Sequence, residues 1–347
     1  MSYSKTQINN AGKIFKDMLA QDINDIKWAE DALTYWRTIH SSILDDFHID
    51  LKAKVDEVNK GSLIVQRLKR SQSIIFKLNR IDGMKLSRMQ DIAGVRVVVE
   101  SISEVYSLAK KLQASDFKHE FKNIKDYIQE PKESGYRGIH LIYKYSSPEN
   151  PEINGLYIEV QLRTKLQHTW ATAVETLSTF LGTHLKFDQG QPKWLKYFAL
   201  TSSAFSFIEK TPAVTKYNKL TEYETLQMAV YEYNYNHISE SLSGYTVAAD
   251  FICKKVDPNK KYHIVTLNSE LREAHVESFR ADEIHIANKK YTEIERNSDS
   301  DSPKQSVLVS TDSIKELQNG FPNYFLDIRE FLIQMDSIKM RLINERK

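Results

Sequence analysis

The run Tyr157–Thr164, YIEVQLRT, constrains the fold more than any other part of the chain. Successive side chains of a β-strand point to opposite faces. A strand here presents Ile158, Val160 and Leu162 on one face and Glu159, Gln161 and Arg163 on the other. The apolar face needs a core beneath it. The other face, with an acid, an amide and a guanidinium in line, is suited to work on a ligand. The chain should therefore build a sheet that is covered on one side and polar on the other. Just upstream, Ser134-Gly135-Tyr136-Arg137-Gly138 reads as a glycine turn with an exposed tyrosine, feeding a strand that begins at Ile139.

Residues 62–80, SLIVQRLKRSQSIIFKLNR, gather Arg67, Lys69, Arg70, Lys77 and Arg80. Ser71 or Ser73 is placed to cap a helix that buries Ile74, Ile75 and Leu78. A basic helix is ordinarily a solvated charged face. Here it lies just before DIAGVRVVVE, in which Asp91 precedes a β-branched strand and Gly94 permits close backbone approach. Asp91 alone reads as a turn cap. Together with Glu159 it offers two carboxylates beside a basic segment, and Mg²⁺ usually takes one or two carboxylates plus phosphate oxygens and water.

The remaining pattern sets the organisation. Residues 1–60 read as two or three amphipathic helices, and residues 61–240 as a mixed-sheet domain with C-terminal helices, one over 165–182 and another running through 194–240. In the helix over 165–182, His168 and Glu175 lie off the apolar stripe. From about residue 241 to 311, GYTVAADFICKKV, KKYHIVTLN, DEIHIANKKYTEIERN and SVLVSTD read as short strands of a small β domain, and residues 312–347 as a helical tail. The expected class is α+β, a mixed sheet covered by helices and followed by a small β-rich unit, with the two parts docked.

Composition narrows the classes. Lys plus Arg is 48 and Asp plus Glu is 46, so the overall charge favours no polyanionic partner and any basic surface must be local. The one cysteine, Cys253, excludes a disulfide framework and a cysteine-rich zinc site. No signal peptide or apolar span is present in the sequence, so a soluble cytoplasmic protein without membrane contact is expected. There is no GxxxxGK[ST] loop and no kinase HRD or DFG set. The parts suit phosphoryl or pyrophosphoryl transfer, which depends on positioning and charge neutralisation.

Residues 62–182 resemble the synthetase domain of the RelA/SpoT family, through RLKRSQSIIFKLNR, DIAGVRV, DYIQEPKESGYRGIH and EVQLRT in that order. Those enzymes move a pyrophosphate from ATP to a 3′-hydroxyl. The resemblance implies that Arg67 and Arg96 sandwich the adenine of ATP and that Lys69, Ser73 and Lys77 hold its phosphates. It implies that Asp91 and Glu159 carry Mg²⁺, with Glu159 helping to deprotonate the attacking hydroxyl and Lys77 completing the catalytic set. Lys125, Lys132, Arg137 and His140 would line the acceptor side, Tyr136 would stack on the acceptor base, and Gln161 and Arg163 would orient that base or its phosphates. The resemblance does not include the hydrolase half of long family members, and synthesis without hydrolysis is the expectation.

Two acceptors follow from the resemblance. One is GDP or GTP, giving (p)ppGpp. The other is the 3′-CCA end of tRNA, giving a translation-blocking toxin. LQHTWATAVETL and the C-terminal region are similar to fused toxin–antitoxin synthetases of CapRel type, and this favours tRNA. In that group a small β domain without zinc and an aromatic segment restrain the enzyme until a phage protein binds. Here the segment is NGFPNYFLDIREFL, with Phe321 and Tyr324 where the group has two tyrosines. A third reading is a non-catalytic nucleotide-binding regulator, against which Asp91, Glu159 and the basic residues all being present argues.

Overall fold

The alternation in residues 157–164 is what the chain folds around: Ile158, Val160 and Leu162 are fully buried, while Glu159 and Gln161 lie half-buried on the opposite face. The computed structural model describes residues 2–17, 21–114, 116–180, 185, 191–235, 260–268, 273–296, 304–310 and 328–344. Its strands are β1 (Leu63–Leu68), β2 (Ala93–Val99), β3 (Glu120–Asp126), β4 (Ile139–Lys144), β5 (Tyr157–Thr164), β6 (Tyr262–Asn268), β7 (Glu273–Phe279) and β8 (Lys304–Ser310). They pair in the order β3-β4-β5-β2-β1-β8-β6-β7. β2 and β5 run parallel, and the other pairs antiparallel. The class is α+β with a mixed sheet, as the sequence implies.

The described helices are α1 (Lys5–Lys16), α2 (Ile23–Ser42), α3 (Leu44–Asp56), α4 (Ser71–Arg80), α5 (Ile102–Leu112), α6 (Lys165–Phe180), α7 (Pro192–Glu209), α8 (Glu222–Tyr235), α9 (Ile284–Arg296) and α10 (Arg329–Asn344). Ser4, Asp22 and Ser101 cap α1, α2 and α5 through their side chains. α4 differs: its N-cap is Arg70 and no side chain caps it, so Ser71 and Ser73 lie inside the helix.

Two cores flank the sheet. In the first, Val95, Val97, Leu141, Val160 and Leu162 pack against Ile8, Leu33, Phe47 and Leu108 of the helices beneath. Each such buried aliphatic or aromatic side chain contributes roughly 1.5–3 kcal/mol. The second joins α6, α7, α8 and α10 through Trp170, Phe198, Leu226, Phe331 and Met335, and Tyr136 belongs to it. The polar face of β5 lies between the two.

Three expectations need correction. The helix read through 194–240 is broken: Lys210 closes α7 in the left-handed region at φ 53°, and a 3₁₀ turn at Thr215–Tyr217 precedes α8. Pro212, which has no backbone N–H, lies in the break. DEIHIANKKYTEIERN is not a strand but contains α9, because Ala287 and Tyr291 are buried at helical spacing with Ile284 and Ile294 packed beside them. The sheet also does not stop at residue 240. Gln66 and Arg67 of β1 pair with Ser310 and Val309 of β8. Asp45 of α3 accepts hydrogen bonds from Gln66 Nε2 and the Tyr262 hydroxyl, both at 2.7 Å. Cys253, Phe321 and Tyr324 lie outside the described residues. Among the described residues no helix is long and apolar enough to cross a membrane.

Candidate active site

Strand register assembles the polar face. Gly94 of β2 lies level with Glu159 of β5, and Arg96 with Gln161. On the other side of β5, His140 of β4 lies level with Gln161, and Lys125 of β3 with His140. Arg67 of β1 lies opposite Gly94. Having no side chain, Gly94 leaves the sheet bare between Arg67 and Glu159; a Cβ there would meet Glu159 O at 3.7 Å and Arg67 O at 3.9 Å. Arg67, Arg96, Glu159, Gln161, His140 and Lys125 thus share the face turned away from the first core.

The loop after α4 delivers Asp91 to this face. Lys69 Nζ donates to Asp91 Oδ2 at 3.1 Å, and Lys77 Nζ to Oδ1 at 2.8 Å. Ser73 lies one turn before Lys77, on the same side of α4. Burial, joined by the Glu159 carboxylate, pushes Asp91 up, but Lys69 and Lys77 outweigh both and hold it below the usual range. Burial, with Arg67 and Lys77 nearby, pulls Lys69 below an ordinary lysine against the attraction of Asp91.

Glu159 is held on both oxygens. His140 Nδ1 lies 2.9 Å from Oε1, and Gln161 Nε2 donates to Oε2 at 2.6 Å. Burial alone would raise Glu159, but His140, Gln161 and Lys77 drive it well below the usual carboxylate range. Lys77 therefore acts on both carboxylates. Burial opposes charge on His140, yet Glu159 and Tyr136 push it up to about 9. Burial would raise the Tyr136 phenol, but Arg163 and His140 bring it down to about 7. An ultraviolet titration of the full chain should then show a phenol ionising near neutral pH, well under the ordinary value of about 10. Tyr136→Phe should remove that transition. Identical curves for the two proteins would contradict this arrangement of charges.

Two expected placements change. Tyr136 is 6% exposed, not an exposed ring, because the turn carrying it packs into the second core. Arg137 does not line the acceptor side. Its Nε donates to Ser202 Oγ at 2.9 Å and its Nη1 to Pro212 O at 2.7 Å, which pins the turn to α7. Arg163 is buried, and its Nη2 donates to the Tyr136 hydroxyl at 2.8 Å. Lys132 lies over the Tyr127 and Tyr136 rings, at 4.5 and 5.1 Å from their centroids. Lys125, Lys132 and Arg80 are exposed at the rim. Though Lys132 is exposed overall, desolvation of its ammonium beside the two rings, with Lys125 and Arg80, holds it below an ordinary lysine against the pull of Tyr136 and Glu159.

The sequence reading missed Arg37. It is buried on α2, where Nε donates to Lys69 O at 3.1 Å and Nη1 to Ser71 Oγ at 2.7 Å. It fixes the bend that carries Lys69 into α4. A charged residue on the same buried face as Leu33 and Trp36 was the available signal.

The donor set suits one kind of cation. Among the described residues, no group of three or more His, Cys, Asp or Glu could enclose a metal. Asp91 and Glu159 are two hard oxygen donors close enough to repel one another. Such a pair fits Mg²⁺ shared with a phosphate ligand and does not fit a metal caged by protein alone.

The fold and this face define an α+β protein in which two carboxylates and a set of cations share one side of a mixed sheet. Residues 66–179 match the family model described as the region found in RelA / SpoT proteins, and they hold most of the site. GTP pyrophosphokinase YwaC of Bacillus subtilis (strain 168) is 34% identical over 112 residues, covering 30% of this chain and 52% of the relative. GTP pyrophosphokinase YjbM of the same organism is 32% identical over 126 residues, covering 35% and 59%. The chain thus spans only about half the length of these relatives. The crystal structure of small alarmone synthetase 1 from Bacillus subtilis, bound to its product pppGpp, aligns with a TM-score of 0.43 at 25% identity, over 49% of this chain and 89% of that one.

Proposed function

We propose that the chain is an ATP-dependent pyrophosphotransferase that moves the β,γ-pyrophosphate of ATP onto a nucleotide 3′-hydroxyl. The observation that carries this is Asp91 held by Lys69 and Lys77 next to the anchored carboxylate of Glu159, within a RelA/SpoT region. Arg67 and Arg96 flank the bare strip at Gly94, where a purine ring lies between cations. Lys69, Ser73 and Lys77 take the phosphates. Asp91 and Glu159 would hold Mg²⁺, which supplies charge neutralisation on the transferring group. Against the effect of burial, His140, Gln161 and Lys77 hold the Glu159 carboxyl well below the usual carboxylate range. Anchored on both oxygens, it orients the attacking hydroxyl.

The acceptor in this reading is GDP or GTP, supported by the names of the two relatives. A second reading is the 3′ end of tRNA, favoured by the exposed cations Arg80, Lys125 and Lys132, which extend the basic rim beyond the site. Under it the chain is a translation-inhibiting toxin, restrained by its own C-terminal elements and released by a phage protein. Phe331, Met335 and Ile338 of α10 are buried in the second core, so truncation before residue 312 would uncover that core, and the test needs the full chain.

Incubation of the full chain with γ-³²P-ATP, Mg²⁺ and either GDP/GTP or deacylated tRNA decides between the acceptors. Label in the guanine nucleotide is the expected result. Label in tRNA alone moves the assignment to the second reading, and label in neither overturns transfer.

A further inference from the structure

Only Lys69 and Arg70 separate the end of β1 from the start of α4. Both polar groups of the Lys69 backbone are held there. The Lys69 N–H donates to the carbonyl of Ile92, the neighbour of Asp91, at 2.8 Å. The Lys69 carbonyl accepts from Arg37 Nε at 3.1 Å, and Arg37 Nη1 donates to Ser71 Oγ at 2.7 Å. Arg37 of α2 therefore spans the connection, with one bond before the helix and one at its first residue. Its guanidinium lies over the Tyr291 ring of α9, with Cζ 4.9 Å from the centroid. Tyr291 is itself buried, in one cluster with Ile264, Phe279, Ala287 and Leu308.

We infer that Arg37 is a positioning residue for ATP binding, acting through the Lys69 peptide, and that it serves the ATP side of the reaction and not the acceptor side. The inference rests on the reading of Lys69 as a residue that holds the ATP phosphates. Arg37 is 2% exposed, so it has no surface to offer a nucleotide directly. Burying a guanidinium costs free energy that an aliphatic side chain in the same place would not. Ala29, Leu33 and Trp36 of α2 are buried and apolar, so packing alone would be served by one more apolar residue. What arginine adds is a planar fork that holds a carbonyl and a hydroxyl at once, and stacking on Tyr291 fixes the plane of that fork.

Lys69 needs such a support because its side chain is a flexible stem. Its Nζ donates to Asp91 Oδ2 at 3.1 Å. A shift at the Lys69 peptide is carried along the stem to Nζ, so the peptide has to stay where the ammonium can serve both Asp91 and a phosphate. No side chain caps α4, and the bond to Ser71 ties its first turn to α2 instead.

Arg37→Met keeps the length of the side chain and removes the fork. Titration of the full chain with ATP in the presence of Mg²⁺ should show binding weaker by about tenfold or more, while KM for the acceptor stays within about twofold. Unchanged ATP binding overturns the inference. So does an equal loss on the acceptor side, which is the mark of a general loosening of the core. A double-mutant cycle with Lys69 tells positioning from bulk stability. In a Lys69→Met background, Arg37→Met should weaken ATP binding by no more than about twofold, because the ammonium that it places is gone. A full second loss there means that Arg37 acts by another route, and the inference falls. Ser71→Ala serves if Arg37→Met does not fold. It removes the acceptor of Nη1 and leaves the carbonyl bond, so ATP binding about threefold weaker is expected; wild-type binding counts against the fork. Lys69→Met alone keeps two failures apart. If it leaves ATP binding intact, the reading of Lys69 falls and takes the inference with it. If it weakens ATP binding and Arg37→Met does not, only the role of Arg37 falls. The ATP titrations need no turnover, so they stand whichever acceptor is labelled.

Discussion

Asp91→Asn is expected to lower turnover by at least about 10³-fold while leaving ATP binding measurable. The substitution keeps the size, removes the charge and replaces one of the two acceptor oxygens with a donor NH2. That charge does two things here. It receives Lys69 and Lys77, one on each oxygen, and so sets where both ammonium groups sit. It also supplies half of the oxygen pair that fits Mg²⁺. Without it, the two lysines face each other with Glu159 as the remaining nearby carboxylate, and Glu159 is already committed to His140 and Gln161. Metal-free ATP should still bind, within about tenfold, because removing a negative charge leaves the phosphate site more positive. Dependence of binding on Mg²⁺ should weaken, since one ligand is lost. Titration of ATP with and without Mg²⁺, beside a single-turnover transfer assay, measures both halves. Turnover within tenfold of wild type would remove Asp91 from the site.

The parts of this site that were legible in the sequence are those set by local period. Alternation in β5 gives the face of Glu159, Gln161 and Arg163, and the β-branched run after Asp91 gives β2. Helical spacing places Ser73 and Lys77 one turn apart. What escaped depends on contacts between distant segments. Nothing local to Arg137 tells that its guanidinium meets Ser202 and Pro212, more than sixty residues on. A tyrosine in a glycine turn looks exposed until α6 and α7 close over it. The bond from Arg37 to Lys69 O is also invisible, because the two residues lie in different elements. The misreading of α9 has a different origin. Asp282 to Ile286 alternates over too few residues to exclude a helix, and the deciding residues, Ala287, Tyr291 and Ile294, come later. The join between β8 and β1 rests on a register of two residue pairs, which no composition shift in the chain signals.

The second large effect is expected at Gly135. It sits at φ +95°, where a side chain is strained in any surroundings, and the surroundings leave no space. A Cβ would lie 2.8 Å from Ser202 Cβ, 2.9 Å from Trp170 Cζ2 and 3.1 Å from Phe198 O. Two of these three atoms cannot swing aside, one being backbone and the other part of a buried indole whose Nε1 donates to the same Phe198 carbonyl. Gly135→Ala should therefore cost roughly 3–5 kcal/mol, the sum of backbone strain and overpacking. Gly83→Ala is the matched control: φ is +67° there, and nothing lies within 4 Å of the added carbon. It isolates the backbone part, about 1–2 kcal/mol. Denaturant unfolding of the two variants measures the difference. The consequence reaches the site because the Gly135 carbonyl accepts from Ser202 Oγ at 2.5 Å, and the same oxygen takes Arg137 Nε. Relief of the clash has to move the turn off α7, and Tyr136 moves with it. Gly135→Ala should then lose turnover under conditions where it is still folded. A variant that is destabilised yet turns over normally would mean that the position of the turn does not govern the site.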